Sequence, residues 1–151
     1  MADPQDNEYR KKVSKEMIES RKQWGSVVSN LSFRLKGDFK DVVDIQAEAI
    51  SHRQNVVEEV NIYTVRISKL MKNMKKLTKE RFEFYATSYQ VKTNGSEKLN
   101  LINADLSDYQ TFIDELDEHV NFLRETSKNL ADVNYGVKNK IELANILGGY
   151  K

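Results

Sequence analysis

Residues 41–89 read DVVDIQAEAISHRQNVVEEVNIYTVRISKLMKNMKKLTKERFEFYATSY and contain neither proline nor glycine. Apolar residues recur along this stretch at alternating steps of three and four, the spacing that places them on one face of an α-helix. Two steps of four fall together around Val56, a stutter that locally unwinds a supercoil. A helix of this length extends roughly 70 Å, so its apolar face needs a partner. That face comprises Val42, Ile45, Ala49, His52, Val56, Val60, Tyr63, Ile67, Leu70, Met74, Leu77, Arg81 and Phe84.

A second long helix is predicted after the turn residues 94–96, Asn-Gly-Ser. From Leu99 to Ala144 the three–four alternation is uninterrupted. Gly136 weakens this helix by about 1 kcal/mol relative to alanine, and Gly148-Gly149 ends it. The two long helices should form an antiparallel hairpin because their connection is short. The second apolar face comprises Leu99, Ile102, Leu106, Tyr109, Ile113, Leu116, Val120, Leu123, Ser127, Leu130, Asn134, Val137, Ile141 and Ala144.

A shorter helix is predicted before the hairpin, from Tyr9 to about Leu35. Gly37 is the expected C-cap of this helix, and Asp38 or Asp41 the expected N-cap of the next. The predicted fold is therefore all-α and free of strands: a long helical hairpin with coiled-coil-like heptads over residues 41–151, preceded by an N-terminal helical extension over residues 1–40. The sequence suggests no role for this extension. Its apolar residues are Val13, Met17, Trp24, Val27, Val28, Leu31 and Leu35.

The composition limits the classes of function. Of 151 residues, 31% are charged and 9% are aromatic, with a net charge of +1, which suits exposed helices that share narrow apolar faces. The absence of cysteine excludes disulfides and sulfur-ligated metals and fits a reducing cytoplasm. No apolar run approaches the roughly 20 residues of a membrane span, and residues 1–12 lack the apolar segment of a signal peptide. We therefore expect a soluble, cytoplasmic protein without a membrane partner.

No group of residues has the spacing of a catalytic or metal site. His52 and His119 lie in different predicted helices, and neither has a second ligand at helical spacing. Because His52 lies on the apolar face, we expect it to be a hydrogen-bonded core residue. The carboxylates in residues 114–118 are typical of a solvated helix surface. We expect no enzymatic activity, no metal and no cofactor.

Charge is segregated between the two long helices. Residues 66–81, RISKLMKNMKKLTKER, contain seven basic residues and one acidic residue, whereas residues 103–118, NADLSDYQTFIDELDE, contain six acidic residues and no basic ones. These stretches lie side by side in an antiparallel hairpin, so one interpretation is mutual neutralisation. The other interpretation is a basic surface that binds a polyanion.

The heptad register favours an exposed basic surface. With Ile67, Met74 and Arg81 at position a, the lysines fall at positions b, c and f, which face away from the partner helix. We call Lys69, Lys72, Lys75, Lys76 and Lys79 the lysine stripe. Cations that follow phosphates, next to rings that stack on bases, are typical of single-stranded nucleic-acid binding. The candidate DNA-binding residues are Lys69, Lys72, Lys76, Lys79, Arg81, Phe84 and Tyr85.

Several short blocks resemble, in the same order, motifs of the UvsY family of recombination mediators from T-even-type phages. The resemblance covers about residues 41–150. Phe82 and Phe84 stand where leucine and tyrosine are expected, and residues 1–40 have no counterpart. The blocks are KERFEFY at 79–85, LINAD at 101–105, FL at 122–123, YGVKNKIE at 135–142 and GGY at 148–150.

The resemblance implies a helical homo-oligomer, forming a closed ring, that binds single-stranded DNA. It also implies two protein partners, a RecA-like recombinase of the UvsX type and the single-stranded-DNA-binding protein. The mediator weakens the hold of the latter on DNA, so that recombinase filaments nucleate. The DNA-contacting lysine and arginine of the family motif correspond to Lys79 and Arg81. The family's C-terminal oligomerisation helix corresponds to about residues 135–147, within the C-terminal segment 135–151.

Apolar residues outside the main face also predict self-association, because a two-helix hairpin leaves them exposed. They are Phe112, Phe122, Val133, Leu143, Ile146 and Leu147. The oligomerisation candidates are Val137, Ile141, Leu143, Ala144, Ile146 and Leu147. The leading hypothesis is a recombination mediator that loads a recombinase onto DNA. The alternative is a structural coiled-coil scaffold without nucleic-acid binding, in which the charged stretches only pair subunits.

Overall fold

The computed structural model describes residues 4–148, and this range contains four α-helices, one 3₁₀ turn and no strand. Helix α1 spans Pro4–Leu35, α2 spans Val42–Thr87, α3 spans Gly95–Asp105 and α4 spans Ser107–Gly148. The 3₁₀ turn, Phe39–Asp41, leads into α2. The predicted all-α fold is thus confirmed. Two residues of the predicted C-terminal tail, Gly149 and Tyr150, lie outside the described residues.

Helices α2 and α4 pack against each other in antiparallel orientation. Arg53 Nε lies 3.3 Å from Ser127 Oγ, and further along α2 the ring of Tyr63 lies 4.5 Å from that of His119. The two predicted apolar faces form the core between these helices. Their fully buried members between α2 and α4 with the largest side chains are Val42, Ile45, Val56, Leu116, Leu123, Leu130 and Val137.

The predicted last helix is wrong in one respect, because it is broken at Leu106. This residue has φ −101° and ψ 6° and separates α3 from α4. The break lies in the run Asn103-Ala104-Asp105-Leu106-Ser107, whose short polar side chains compete for backbone hydrogen bonds. The Ser107 hydroxyl indeed donates to the Ala104 carbonyl at 3.0 Å.

The break also changes which residues are buried near it. Leu99 was assigned to the apolar face, yet it is 51% exposed. Phe84 is likewise exposed, and the next residue, Tyr85, takes the buried position against Ile102 and Leu106. These residues form a second small core with Met74, Leu77 and Leu101. No α1 residue belongs to it.

Helix α1 covers the face of the hairpin that we expected self-association to cover. Phe112 and Val133 are buried in the same core cluster as the α1 residues Val13, Trp24 and Leu31. The off-face residues Phe112, Phe122 and Val133 therefore no longer argue for self-association. Of that set, Leu143, Ile146 and Leu147 remain exposed.

The C-terminal end of α1 is held by α4. Lys140 Nζ donates to the Leu35 carbonyl at 2.8 Å and also to the Gly37 carbonyl. Lysines commonly satisfy free carbonyls at a helix end in this way. Gly136, which periodicity alone marks as a weak point, lets Leu35 approach, because a Cβ there would lie 2.5 Å from the Leu35 Cδ2 atom.

Glu59 of α2 joins all three long helices. Its carboxylate accepts hydrogen bonds from the Ser20 hydroxyl and from the Trp24 indole N–H, the latter at 2.8 Å. On its other side, Nε2 of the fully buried His119 in α4 lies 3.6 Å from Oε1. Burial raises the pKa of Glu59, but His119, Ser20 and Trp24 lower it further, so that it lies below its ordinary value of 4.5. The carboxylate therefore stabilises the fold in its charged form.

We expect Glu59→Gln to lower the free energy of unfolding by about 2 kcal/mol at neutral pH, because a neutral amide leaves buried donors poorly paired. A depressed pKa contributes stability above the unfolded-state value, and this contribution disappears as the pH falls through the folded-state value. The difference between wild type and variant should therefore shrink below about pH 4.5. Urea unfolding followed by circular dichroism measures this difference in the free energy of unfolding. The matched control is the exposed neighbour Glu58→Gln, and equal stability of both variants would contradict the assignment.

Candidate nucleic-acid interface

The lysine stripe lies on the solvent side of α2. All five of its lysines are exposed, and none forms an ion pair with any side chain of residues 7–148. These ammonium groups, spread over about three turns of one helix, therefore keep their charge available to an external anion. Such an array creates a positive potential along the helix that attracts a polyanion and weakens with added salt.

Mutual neutralisation between the two charged stretches is confined to one contact. Arg81 Nε lies 3.9 Å from Asp105 Oδ2, and this is the only ion pair between residues 66–81 and residues 103–118 of the described chain. Two other members of these stretches pair with α1 instead. Arg66 contacts Glu16 at 2.9 Å, and Glu115 contacts Arg10 at 3.3 Å. The basic stretch is therefore largely uncompensated within the fold.

A cluster at the end of α2 positions Arg81. The break at Leu106 turns Asp105 towards α2, where its carboxylate accepts a hydrogen bond of 2.5 Å from the Tyr85 hydroxyl. The Arg81 guanidinium lies between this carboxylate and the ring of Phe84, 5.9 Å from the ring centroid. Arg81 is thus half-buried at the edge of the apolar face, with 37% of its side chain exposed.

The aromatic residues of this cluster differ in accessibility. Phe82 is 46% exposed and Phe84 is 41% exposed, whereas Tyr85 is 8% exposed. A nucleobase can stack only on a ring whose face is free. Phe84 therefore remains a candidate for base contact, and Phe82 joins it. Tyr85 is engaged with the second core and with Asp105, so in this conformation its ring is not available to a base.

The oligomerisation candidates also fall into two groups. Val137 is fully buried and Ile141 packs against the main core, so both residues serve the fold of the single chain. Ala144 is half-buried. Leu143, Ile146 and Leu147 are 57%, 58% and 66% exposed on the last turns of α4. Only these three offer a free apolar surface there.

The buried histidine is not the one that the sequence pattern indicates. His52, which was expected in the core, is only half-buried and contacts the Trp24 ring edge-on at 5.8 Å. His119 is fully buried between Tyr63 and Phe122 and close to Glu59. The sequence gives no signal that His119, one position before Val120, is buried. Its burial can be inferred only when the position of α1 is known.

Two further kinds of feature are absent from residues 7–148. No three side chains of the metal-binding types His, Asp and Glu come together in this range. None of its helices has both the length and the apolar character needed to cross a membrane. Comparisons of the chain with protein-family models, with curated proteins and with solved structures found no match.

The Tyr85–Asp105 contact can be tested without any ligand. The hydrogen bond to the Asp105 carboxylate, together with burial, raises the pKa of Tyr85 above its ordinary value of 10.0. We expect Asp105→Asn to return this pKa towards the ordinary value, because the carboxylate charge that opposes tyrosinate formation is removed. Alkaline titration followed by NMR of ζ-carbon-labelled tyrosine measures the shift, with exposed Asp108→Asn as the control. An unchanged Tyr85 titration in Asp105→Asn would exclude the contact.

Proposed function

We propose that this protein is a recombination mediator that binds single-stranded DNA and promotes loading of a RecA-like recombinase onto DNA covered by single-stranded-DNA-binding protein. The observation that carries the proposal is the lysine stripe, five exposed lysines without ion pairs to residues 7–148 that lead into Arg81, Phe82 and Phe84. The proposal is for a binding and loading protein, in which no residue has a catalytic role.

The location of the positive charge supports DNA binding. The net charge is only +1, so attraction of a polyanion must come from a local surface. Exposed lysines release counterions from a nucleic-acid backbone when they bind phosphates, which supplies affinity without sequence preference. Lys79 and Arg81, which correspond to the DNA-contacting pair of the UvsY motif, lie at the end of the stripe that adjoins the aromatic residues.

The aromatic rings beside the stripe favour a single strand as the ligand. In a duplex the bases are stacked and paired, but in a single strand their faces are free to stack on aromatic rings. Phe82 and Phe84 present partly exposed rings within one or two turns of Lys79, and Arg81 lies near the Phe84 ring. The combination of a cationic surface with adjacent rings favours single-stranded over duplex DNA.

The alternative is a coiled-coil scaffold that binds no nucleic acid. The long α2–α4 hairpin and the exposed apolar residues at the end of α4 suit either function. The small number of ion pairs between the charged stretches favours the mediator, because a scaffold that uses charge to pair helices would compensate its lysines. Subunits of the same chain could still supply that compensation in an oligomer, so DNA binding is the discriminating property.

We expect the double variant Lys72→Ala/Lys79→Ala to bind single-stranded oligonucleotides more weakly than wild type. Its log–log salt dependence should be shallower by about 0.7 for each phosphate that the variant no longer binds. The matched control is Lys22→Ala/Lys128→Ala, which removes the same charge from exposed lysines of α1 and α4. Fluorescence anisotropy at several salt concentrations measures both. The stripe variant should also lengthen the lag of a RecA-like recombinase on DNA coated with single-stranded-DNA-binding protein.

Two outcomes oppose this proposal. If wild-type protein shows no salt-dependent binding to single strands, the mediator function is wrong and the scaffold alternative gains support. If the stripe variant and the control variant lose affinity equally, binding reflects general charge and the stripe is not the site.

Self-assembly is the second part of the proposal, with a closed ring of identical chains as its expected form. We expect Leu143→Ser/Ile146→Ser/Leu147→Ser to reduce the mass measured by light scattering, because the substitutions remove exposed apolar area. The control triple, Ile18→Ser/Ile62→Ser/Val65→Ser, changes exposed apolar residues of α1 and α2. Full mass in the first triple with intact helicity would place the interface elsewhere.

A further inference from the structure

Helices α1 and α2 run antiparallel, and specific contacts fix their register. Glu59 of α2 binds Ser20 and Trp24 of α1, and further along α2, Arg66 binds Glu16 at 2.9 Å. The residue numbers decrease along α1 as they increase along α2. A step towards the N-terminus of α1 therefore moves in the same direction as a step towards the C-terminus of α2.

This register brings cationic residues of both helices to one groove. Lys12 lies one turn beyond Glu16 on the same side of α1, since residues four apart share a helix face. Lys69 lies three residues, again about one turn, beyond Arg66 on α2, and residues three apart also share a helix face. The Glu16–Arg66 pair is therefore the last ion pair along this groove. Beyond it, the positive charges of Lys12 and Lys69 are not compensated by a carboxylate of the described chain. Both lysines are exposed and without ion pairs to residues 7–148.

We propose that Lys12 of α1 contributes a phosphate contact to the surface formed by the lysine stripe, so that the N-terminal helix is part of the DNA-binding site. This inference rests on the proposed function, and it assigns a role to a helix for which the sequence suggested none. The phosphate backbone of a single strand lies along the α1–α2 groove, with Lys12 on one side and Lys69 and Lys76 on the other.

The charge pattern along α1 limits this contribution. Glu8, the next residue on this side of α1, is exposed and opposite in charge, and Glu16 is engaged by Arg66. Lys12 is thus the cation of this face that lies beside the stripe. Two like charges held near each other across a groove repel, and an anion between them relieves this repulsion. A phosphate is therefore bound more strongly between Lys12 and Lys69 than on either lysine alone.

Amine labelling with mass spectrometry tests the proposal directly. The full-length wild-type protein is acetylated with and without a single-stranded oligonucleotide, and the modification of each lysine is compared. We expect DNA to protect Lys12 together with Lys69 and Lys76. Lys22, which lies on α1 away from the groove, serves as the internal control and should remain reactive.

A variant gives the second measurement. Lys12→Ala should make the log–log salt dependence of oligonucleotide binding shallower by about 0.7, whereas Lys22→Ala should leave it unchanged. Both side chains are exposed, so both variants are expected to fold, and thermal melting checks this.

The outcomes separate the two proposals. If DNA protects the stripe while Lys12 stays as reactive as Lys22, and Lys12→Ala keeps the wild-type salt dependence, the role of α1 is wrong and the mediator function stands. If the oligonucleotide protects no lysine, the proposed function itself fails.

Discussion

The carboxylate of Glu59 is the constraint on which the arrangement of the three long helices depends. An apolar face alone would allow α1 to slide along the hairpin, since one Val, Leu or Met contact can replace another at little cost. A half-buried carboxylate is more selective, because it needs donors at defined positions. Ser20 and Trp24 supply them from α1, and His119 lies next to it from α4. This residue therefore fixes the register of α1 on both partners, together with the Arg66–Glu16 pair and the contact of Lys140 with the end of α1.

That register determines which parts of the hairpin are covered. With Trp24 at Glu59 and Glu16 at Arg66, the first turns of α1 continue beyond Arg66 along the hairpin, where Arg10 contacts Glu115 of α4. The second core around Tyr85 contains no residue of the described part of α1, so α3 and Leu106 support the end of the lysine stripe that adjoins it. Where α1 does cover the hairpin, its side chains bury Phe112 and Val133, so this helix completes the fold of a single chain and removes a surface that otherwise would need a second copy.

The helices and most of the core could be predicted from periodicity, because a face of apolar residues at steps of three and four has few alternatives to burial. The register of α1 could not, since it depends on Glu59 and His119, two polar residues whose burial has no local signal. The break at Leu106 could not be predicted from the sequence for a related reason. The apolar spacing continues through it, and only the tertiary contact of Asp105 with Tyr85 and Arg81 shows what the break achieves. Because of that contact the Tyr85 ring is buried, in place of the Phe84 ring that the periodicity predicts to be buried. The exposure of the lysines, in contrast, followed from the heptad register alone.

The two proposed surfaces lie at opposite ends of one rod. In an antiparallel hairpin the C-terminal half of α2 lies beside the start of α4, so the lysine stripe and Leu147 are separated by most of the length of α4, roughly 60 Å at 1.5 Å per residue. An assembly formed through the exposed residues Leu143, Ile146 and Leu147 would therefore leave the stripe of every chain open to solvent. Each added chain would then bring its own set of cations to the same strand. Binding through several linked sites is tighter than the affinity of any one site allows. A weak, salt-sensitive contact of a few lysines is sufficient under that condition, which is why self-assembly and DNA binding belong to one proposal for this fold.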